Sequence, residues 1–399
     1  MSVSLDQLPG FAETDCGSTV VMSYGMGVDS TAILLRWLTD PSSRDFDLQD
    51  LIVVTADTGG EFEQTISDVE EVVLPELRRH RVRFIQVGRS KRKTTANGDG
   101  VAVLQDSTEP TRLYSAAYTL ADEMLSAGTV PQIGGTRMCS IHAKGNCLDP
   151  IIAAVTAGRR YRHVVGFESD EGARAVKDAL FNTDRRTGWY PLRDWGWDRT
   201  RCSDFIAEIT GRRWSKSACG YCPFAMRTEA GRSSVVQRWR REPEKGAQAL
   251  FLEHVARSLN ERQTLIEGSA AADLVASAGL TQVRARFDAM LDECEHAVYE
   301  VRRLTRRSSS RAQGRGITAR SVRAVACGSR RQMDEELGSH AGERQIGADG
   351  IVRQVLRERD DQLPALQHFF VVCPAVVDSK QRPGFEAWWQ EATTDAVLF

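Results

Sequence analysis

Residues 19–38 constrain the chain more than any other stretch. Thr19-Val20-Val21-Met22 is a short apolar run, Ser23-Tyr24-Gly25-Met26-Gly27 is a small loop, and helical spacing follows with Ala32, Leu34, Leu35 and Leu38. The pattern predicts a strand, a turn of phosphate size and a helix. Gly25 and Gly27 can take backbone angles closed to other residues, so main-chain N–H groups can converge on an anion there. Asp29 and Ser30 stand where the helix begins, and its partial positive charge suits a phosphate. No Lys follows the second Gly, so the loop is not G-x-x-x-x-G-K-[ST], and it is not G-x-G-x-x-G either. On these residues alone, an ordinary strand-to-helix turn is the alternative.

The same alternation continues. Asp50 to Ala56 reads as a buried strand ending at Asp57-Thr58-Gly59-Gly60, and Glu61 to His80 carries helical spacing through Phe62, Ile66, Val69, Val73 and Leu77. Val82 to Val87 reads as a third strand, and His163-Val164-Val165-Gly166 as a further one. Strands alternating with helices predict an α/β, doubly wound, mostly parallel sheet, with ligands beyond the carboxyl ends of its strands. Ser90 to Thr111, rich in Lys, Arg, Thr, Asn, Asp and Gly, reads as a mobile surface loop.

Several polar clusters fall in this half. Arg137-Met138-Cys139-Ser140-Ile141-His142-Ala143-Lys144 brings an Arg, a Cys and a Lys within eight residues, supplying phosphate contacts and a soft ligand together. Glu168, Glu171 and Arg174 lie in an acidic turn after the His163 strand, and Trp189-Tyr190-Pro191-Leu192-Arg193-Asp194-Trp195 follows. Cys219-Gly220-Tyr221-Cys222 is a C-x-x-C that lets two thiolates face one metal.

Taken in order, these segments resemble the PP-loop ATP pyrophosphatases, and within them the phosphoadenosine phosphosulfate reductase-like family. G-M-G-V-D-S-T resembles the family's S-G-G-x-D-S loop, with Gly25 in place of the Ser and Met26 in place of the first Gly. The resemblance covers about residues 18–228 and implies a PP-loop, Rossmann-like domain over 18–230. It implies ATP binding by Ser23, Gly25, Gly27, Val28, Asp29, Ser30, Thr31, Asp57, Thr58 and Gly59, with Mg²⁺ offsetting the phosphate charge. Glu168, Glu171 and Arg174 would address the substrate, and Asp29, Arg137, Lys144 and Arg174 would be the catalytic, charge-stabilising set. Cys139 and the distant C-x-x-C resemble the cluster pattern of assimilatory adenylylsulfate reductases, except that Ser140 stands where a second adjacent Cys is expected. Cys202 would then complete a four-Cys [4Fe–4S] site with Cys139, Cys219 and Cys222, or one iron would stay open; zinc is the alternative.

Net charge is −2 and the nine cysteines are odd in number and scattered. That argues against a secreted disulfide framework and for metal, cluster or redox use in a reducing cytosol. Cys16, Cys294, Cys327 and Cys373 read as structural. Met1 to Gly17 is a polar, acidic tail without the pattern of a signal peptide, and no apolar run is long enough to span a membrane, so a cytoplasmic protein with no membrane partner is expected. Residues 231–300 read as a helical C-terminal extension. Residues 301–332 read as an Arg-rich linker, with ten Arg between Arg302 and Arg331 and no acid, able to follow an RNA or DNA backbone or simply to be a solvated run. Residues 333–399 form a small region with a strand at His368–Val372 and a helix at Phe385–Trp389.

The expected activity is ATP-dependent adenylation of a substrate with release of pyrophosphate, for sulfur transfer or nucleic-acid or nucleotide modification, with a sulfur-donor protein as a further partner. Two alternatives accompany it. A sulfonucleotide reductase would need a nucleophilic Cys in an E-C-G-L-H segment, which the chain lacks. A nucleotide-sensing component of a nucleic-acid-binding complex would bind ATP without turning it over.

Overall fold

The computed structural model describes residues 19–95, 97–133, 137–307, 316–360 and 362–395. The chain divides into two compact units, the first reaching Glu123 and resuming over Gly135–Cys222, the second comprising Met124–Gly134 and Pro223–Phe399.

The first unit is built on a six-stranded sheet of β1 (Thr19–Ser23), β2 (Leu51–Ala56), β3 (Arg83–Arg89), β4 (Val101–Ser107), β5 (Tyr161–Val164) and β6 (Arg186–Trp189), in the order β4-β3-β2-β1-β5-β6. Every pair is parallel except β3 with β4. The order turns at β1, which carries β2 on one flank and β5 on the other. Period-two alternation sends Val20 and Met22 to one face and Val21 to the other. On the first face they meet Ile33, Leu34 and Trp37 of the Val28–Thr39 helix, Leu74, Leu77, and Ile206 of the Arg199–Thr210 helix. On the second, Val21, Val54 and Val87 meet Ile151, Ile152 and Val155 of the Asn146–Thr156 helix. Helices on both faces explain why all six residues of β2 are buried and read as one apolar run.

Two local readings differ. The helical stretch after β2 is broken by a π turn at Val69–Val73, directly before a short helix with Pro75 in its first turn. Proline lacks the N–H that would continue regular α bonding. The stretch expected as a mobile loop holds β4, whose Val101 and Val103 pack against the second core. Asn97-Gly98-Asp99-Gly100 ends the connection of a β3–β4 hairpin and leads into Val101, which pairs with Arg89. The polar turn dominated the composition and hid the short strand behind it.

The second unit opens with helices Glu229–Arg241, Pro243–Leu259, Ala271–Ser277 and Thr281–Glu293. Its sheet follows: β7 (His296–Arg306), β8 (Ile317–Gly328), β9 (Glu343–Ile346), β10 (Val352–Arg357), β11 (Ala365–Pro374) and β12 (Lys380–Gln381), antiparallel throughout in the order β12-β8-β7-β11-β10-β9. The Arg330–Ser339 helix covers one side through Met333 and Leu337. The Phe385–Asp395 helix packs Phe385 and Ala392 against Leu304, Ala319 and Leu366.

The expected Arg-rich linker is therefore a correction: its described residues are the second half of β7, the whole of β8 and the start of a helix. Arg302 donates to Glu386 Oε2 at 2.9 Å, and Arg303, 8% exposed, donates to the Leu259 carbonyl at 2.8 Å. Arg306 lies 3.8 Å over the Trp388 ring, Arg320 donates to the Ala127 and Gly128 carbonyls, and Arg323 pairs with Glu300 at 2.8 Å. Arg330 and Arg331 pair loosely, at 3.9 and 3.8 Å, and Arg307 is exposed. Arg302, Arg303, Arg306, Arg320 and Arg323 lay their aliphatic stems on a sheet and spend their charge inside the unit. Ser308 to Arg315, which includes Arg311, lies outside the described residues. No helix among the described residues is long and apolar enough to cross a membrane.

Candidate functional site

The loop between β1 and the Val28–Thr39 helix does not use its glycines as expected. Neither Gly25 nor Gly27 has a positive φ, and the N-cap Gly27 is extended at φ −91°. The left-handed residue is Met26, at φ 58°, buried to 6% exposure with its carbonyl accepting the Trp214 indole N–H at 3.1 Å. A non-glycine held there by packing is strain of a kind concentrated at functional sites. Of the other loop residues, Val28 packs in the core and Thr31 Oγ1 meets Tyr24 Oη at 3.1 Å. Ser30 Oγ donates to the Gly27 carbonyl at 3.3 Å, and Ser23 Oγ lies 2.8 Å from His163 Nε2 on β5. The rim is thus the exposed Gly25, the half-buried Gly27 and Asp29, and the first N–H groups of the helix, which have no intrahelical partner.

The neighbouring strand end completes this rim. Gly166, two residues past β5, approaches so closely that a Cβ on it would stand 3.1 Å from the Ser30 nitrogen and 3.2 Å from Asp29 Cβ. Any side chain there would press on the first turn of the helix, which would have to give by a few tenths of an ångström. The chain then turns through Glu168 and Glu171, and Arg199, first residue of a helix capped by Asp198, reaches back between them. Arg199 Nε donates to Glu168 Oε1 at 2.8 Å and Nη2 to Asp29 Oδ2 at 2.9 Å. Asp29 Oδ1 is buried and has no hydrogen bond. It lies 2.9 Å from the same Nε, whose proton is directed to Glu168. Arg174 pairs with Glu171 and stacks 4.5 Å over the Phe167 ring. Burial, followed by the nearby Glu168 and Glu171 charges, outweighs Arg199 and pushes the Asp29 carboxyl up to about 6. Arg193 fixes the turn from behind, donating to the Ser169 carbonyl at 3.0 Å.

Arg199 is the site residue that sequence reasoning missed. It stands 170 positions from Asp29 in no recognisable motif, and its one signal was the helix start at Trp197-Asp198-Arg199.

At the end of β2, Asp57 spends both oxygens on backbone donors, Gly59 N–H at 3.0 Å and Ala116 N–H at 2.7 Å. It holds a turn and ties down the following segment. Thr58 Oγ1 stands 3.5 Å from Cys219 Sγ, and Gly59 is packed against Thr119. Gly60 lies so close that a Cβ would meet the Tyr221 hydroxyl at 2.6 Å and Cys219 Cβ at 2.9 Å. The C-x-x-C turn is therefore seated on this strand end, with Gly220 N–H bonded to the Gly60 carbonyl at 2.8 Å. The segment Trp214–Cys222 joins the two regions. Trp214 holds Met26, Ser217 Cβ lies 3.5 Å from where a Gly27 Cβ would be, and Ser217 Oγ donates to the buried Glu61 at 3.2 Å.

The thiols divide. Burial, then Glu61, pushes the Cys219 thiol up to about 12, opposed by Lys144; Cys139 is raised by burial and by the neighbouring Cys222. Lys144 thus belongs with these cysteines rather than with Asp29, and Arg137 is exposed at the start of the same segment. Cys202 does not join them. It shares one inward stripe with Ile206, four residues on, and is fully buried in the first core. Its charged neighbours are Asp29, Glu168 and Arg199. The expected four-Cys set is accordingly not assembled. Among the described residues no three His, Cys, Asp or Glu side chains group closely enough to hold a metal ion. Of the cysteines read as structural, Cys373 is buried, Cys294 half-buried and Cys327 exposed, while Cys16 lies outside the described residues.

Fold and site together define an α/β protein with a polar, charge-coupled rim where its mostly parallel sheet turns. No family model matches the chain, and no curated protein matches it.

Proposed function

We propose that the chain is an ATP-binding adenylating enzyme of the PP-loop type, with a doubly wound, phosphoadenosine phosphosulfate reductase-like first domain. The observation that carries this reading is the loop at Gly25–Gly27. It opens onto a twelve-residue helix N-terminus between the carboxyl ends of β1 and β5, where the strand order turns. Ligands of open α/β sheets collect in that crevice. Backbone N–H groups of the loop and the first helical turn would cradle the phosphates. Arg174 and Arg199, already facing carboxylates, would draw charge toward the reacting phosphorus. Asp29 Oδ1 accepts no hydrogen bond although it lies 2.9 Å from Arg199 Nε, and with Arg199 turned to the phosphates Asp29 would hold the Mg²⁺ that accompanies the triphosphate and offsets its charge.

In the proposed reaction a substrate oxygen attacks the α-phosphate, the bond to the β-phosphate breaks and pyrophosphate leaves. A sulfur or other external nucleophile then displaces AMP from the adenylate. The rim residues contribute alignment and fixed charge. Cys139, Cys219 and Cys222 are the thiols we assign to any iron–sulfur or zinc group. The adenylation chemistry rests on the rim alone, because Cys202 is a core residue and, among the described residues, no three His, Cys, Asp or Glu side chains group closely enough to hold a metal ion.

Pyrophosphate release from MgATP, measured with the full chain and with RNA, DNA or nucleotide acceptors, tests the reading. Release is expected, with Asp29→Ala reducing it by roughly a hundredfold or more while far-UV circular dichroism is unchanged. Tight ATP binding without pyrophosphate from any acceptor would replace adenylation by nucleotide sensing.

A further inference from the structure

The second unit contains a cavity of about 540 Å³ that nothing in the proposed adenylation uses. That volume is in the range of small-molecule sites. Its wall is unusual for a helix face turned inward. On the Pro243–Leu259 helix, Leu250, Glu253, His254 and Arg257 recur at i, i+3, i+4 and i+7, one stripe, and three of the four are polar. The Arg330–Ser339 helix contributes Arg330 and Asp334, and β10 contributes Gln354 to the same lining.

Hydrogen bonding shows which of these groups serve the fold. Glu253 accepts the Leu265 N–H at 2.7 Å and the Ala271 N–H at 2.8 Å, so it anchors the neighbouring loop and helix start. Asp349 is bound by Arg353 at 2.9 Å and by the Ile351 N–H at 3.0 Å. Two others are left over. Gln354 is 6% exposed and its Oε1 is buried without any hydrogen-bond partner; Arg257 Nε is likewise a buried donor without an acceptor. Native interiors rarely leave such groups unpaired, and those that persist call for an occupant or a role. Arg284 is spent on Asp288 at 2.9 Å and Arg330 pairs only loosely with Asp292 at 3.9 Å, so Arg257, Arg330 and Arg344 face Asp334 as the lining acid not yet accounted for. The positive field is felt inside: burial, followed by Arg330, holds the His254 imidazole down at about 4.

We propose that this cavity binds a small organic oxyanion, its charged group held toward Arg257 and Arg330 and a hydroxyl or amide donor directed to Gln354 Oε1. The chemistry is that of a hydroxylated phosphate ester or carboxylate of a size that fits the cavity.

Calorimetric titration of the full chain at low salt, with ribose 5-phosphate and separately with citrate, tests this. Each probe carries hydroxyl donors, and the two distinguish a phosphate from a carboxylate source. One of them is expected to bind, at least tenfold more weakly in both Gln354→Leu and Arg330→Ala, and equally well in Asp29→Asn, which alters only the first unit. Arg330 is an exposed side chain, so its removal does not threaten the fold. Unliganded Gln354→Leu is expected to melt no lower than the parent, because an unpaired buried acceptor has been removed. Failure of both probes to bind the parent chain, or binding that survives both substitutions, overturns the assignment.

Discussion

Asp29 is placed where its ionised form is uncomfortable. Its carboxyl is raised to about 6 in the folded chain, against an ordinary value of 3.8, chiefly by burial. A group whose folded pKa lies above its unfolded one takes up a proton on folding between those values. Its contribution therefore favours folding at low pH and is lost as pH rises through about 6. The difference of about two units corresponds to roughly 3 kcal/mol held against the fold at neutral pH. Asp29→Asn keeps the shape without the charge and is expected to be more stable than the parent by about 2 kcal/mol at pH 7.5, with the gap closing toward pH 4. Urea unfolding of the two proteins at both pH values checks this; equal stabilities at pH 7.5 would mean that Arg199 fully compensates the buried charge. Asp29 was legible as a helix-start residue behind a glycine-containing loop, whereas Glu168, Glu171 and Arg174 were singled out through the resemblance of their turn to a family segment. Arg199 and the left-handed Met26 were not, since one acts across 170 positions and the other contradicts the preference of its own residue type.

At the scale of elements, strands read well where both faces are buried and poorly where one is not. β2 and β3 announce themselves as apolar runs, whereas β4 is a half-buried edge strand hidden behind a turn. β7 and β8 were obscured by arginine: their apolar positions alternate with long cationic side chains that pack on the sheet, so charge density was mistaken for a solvated run. Helix ends can be tested directly. The Asn146–Thr156 helix ends on Ala157, which is left-handed at φ 48° and exposed. Glycine takes that conformation without the Cβ penalty of about 1 kcal/mol. Ala157→Gly is expected to stabilise the protein by about 0.5–1 kcal/mol after the extra unfolded-state entropy of glycine is counted, seen as a higher urea midpoint. No gain would mean that the following Gly158, at φ 77°, already lets this end relax.

At the scale of the whole molecule, the parallel first sheet followed from strand and helix alternation, but the second sheet did not. Helical patterning was expected over 231–300 and holds to Glu293, where β7 takes over at His296, and of the six antiparallel strands, which draw on residues as far apart as His296 and Gln381, only the stretch within β11 was apolar enough to show. The second unit also takes in Met124–Gly134, and Arg320 on β8 caps that piece at the Ala127 and Gly128 carbonyls, with Lys380 joining at 2.8 Å. Burial lowers the pKa of Arg320, yet its hydrogen bonds to those carbonyls draw on its charge. Arg320→Met is expected to cost about 2–3 kcal/mol, read as a fall in the thermal midpoint of the full chain. A midpoint within error of the parent would assign the capping to Lys380 alone.

That excursion has a consequence for how the protein is made. The piece around Gly128 leaves the ribosome early, but Leu259, Arg320, Val377 and Lys380, which enclose it, are translated later. At typical elongation rates it waits roughly ten to fifty seconds for them. A nascent chain stalled before β12 would thus present the Ala127 carbonyl, last residue of the Leu120–Ala127 helix, without its Lys380 donor, a natural handle for chaperone or protease.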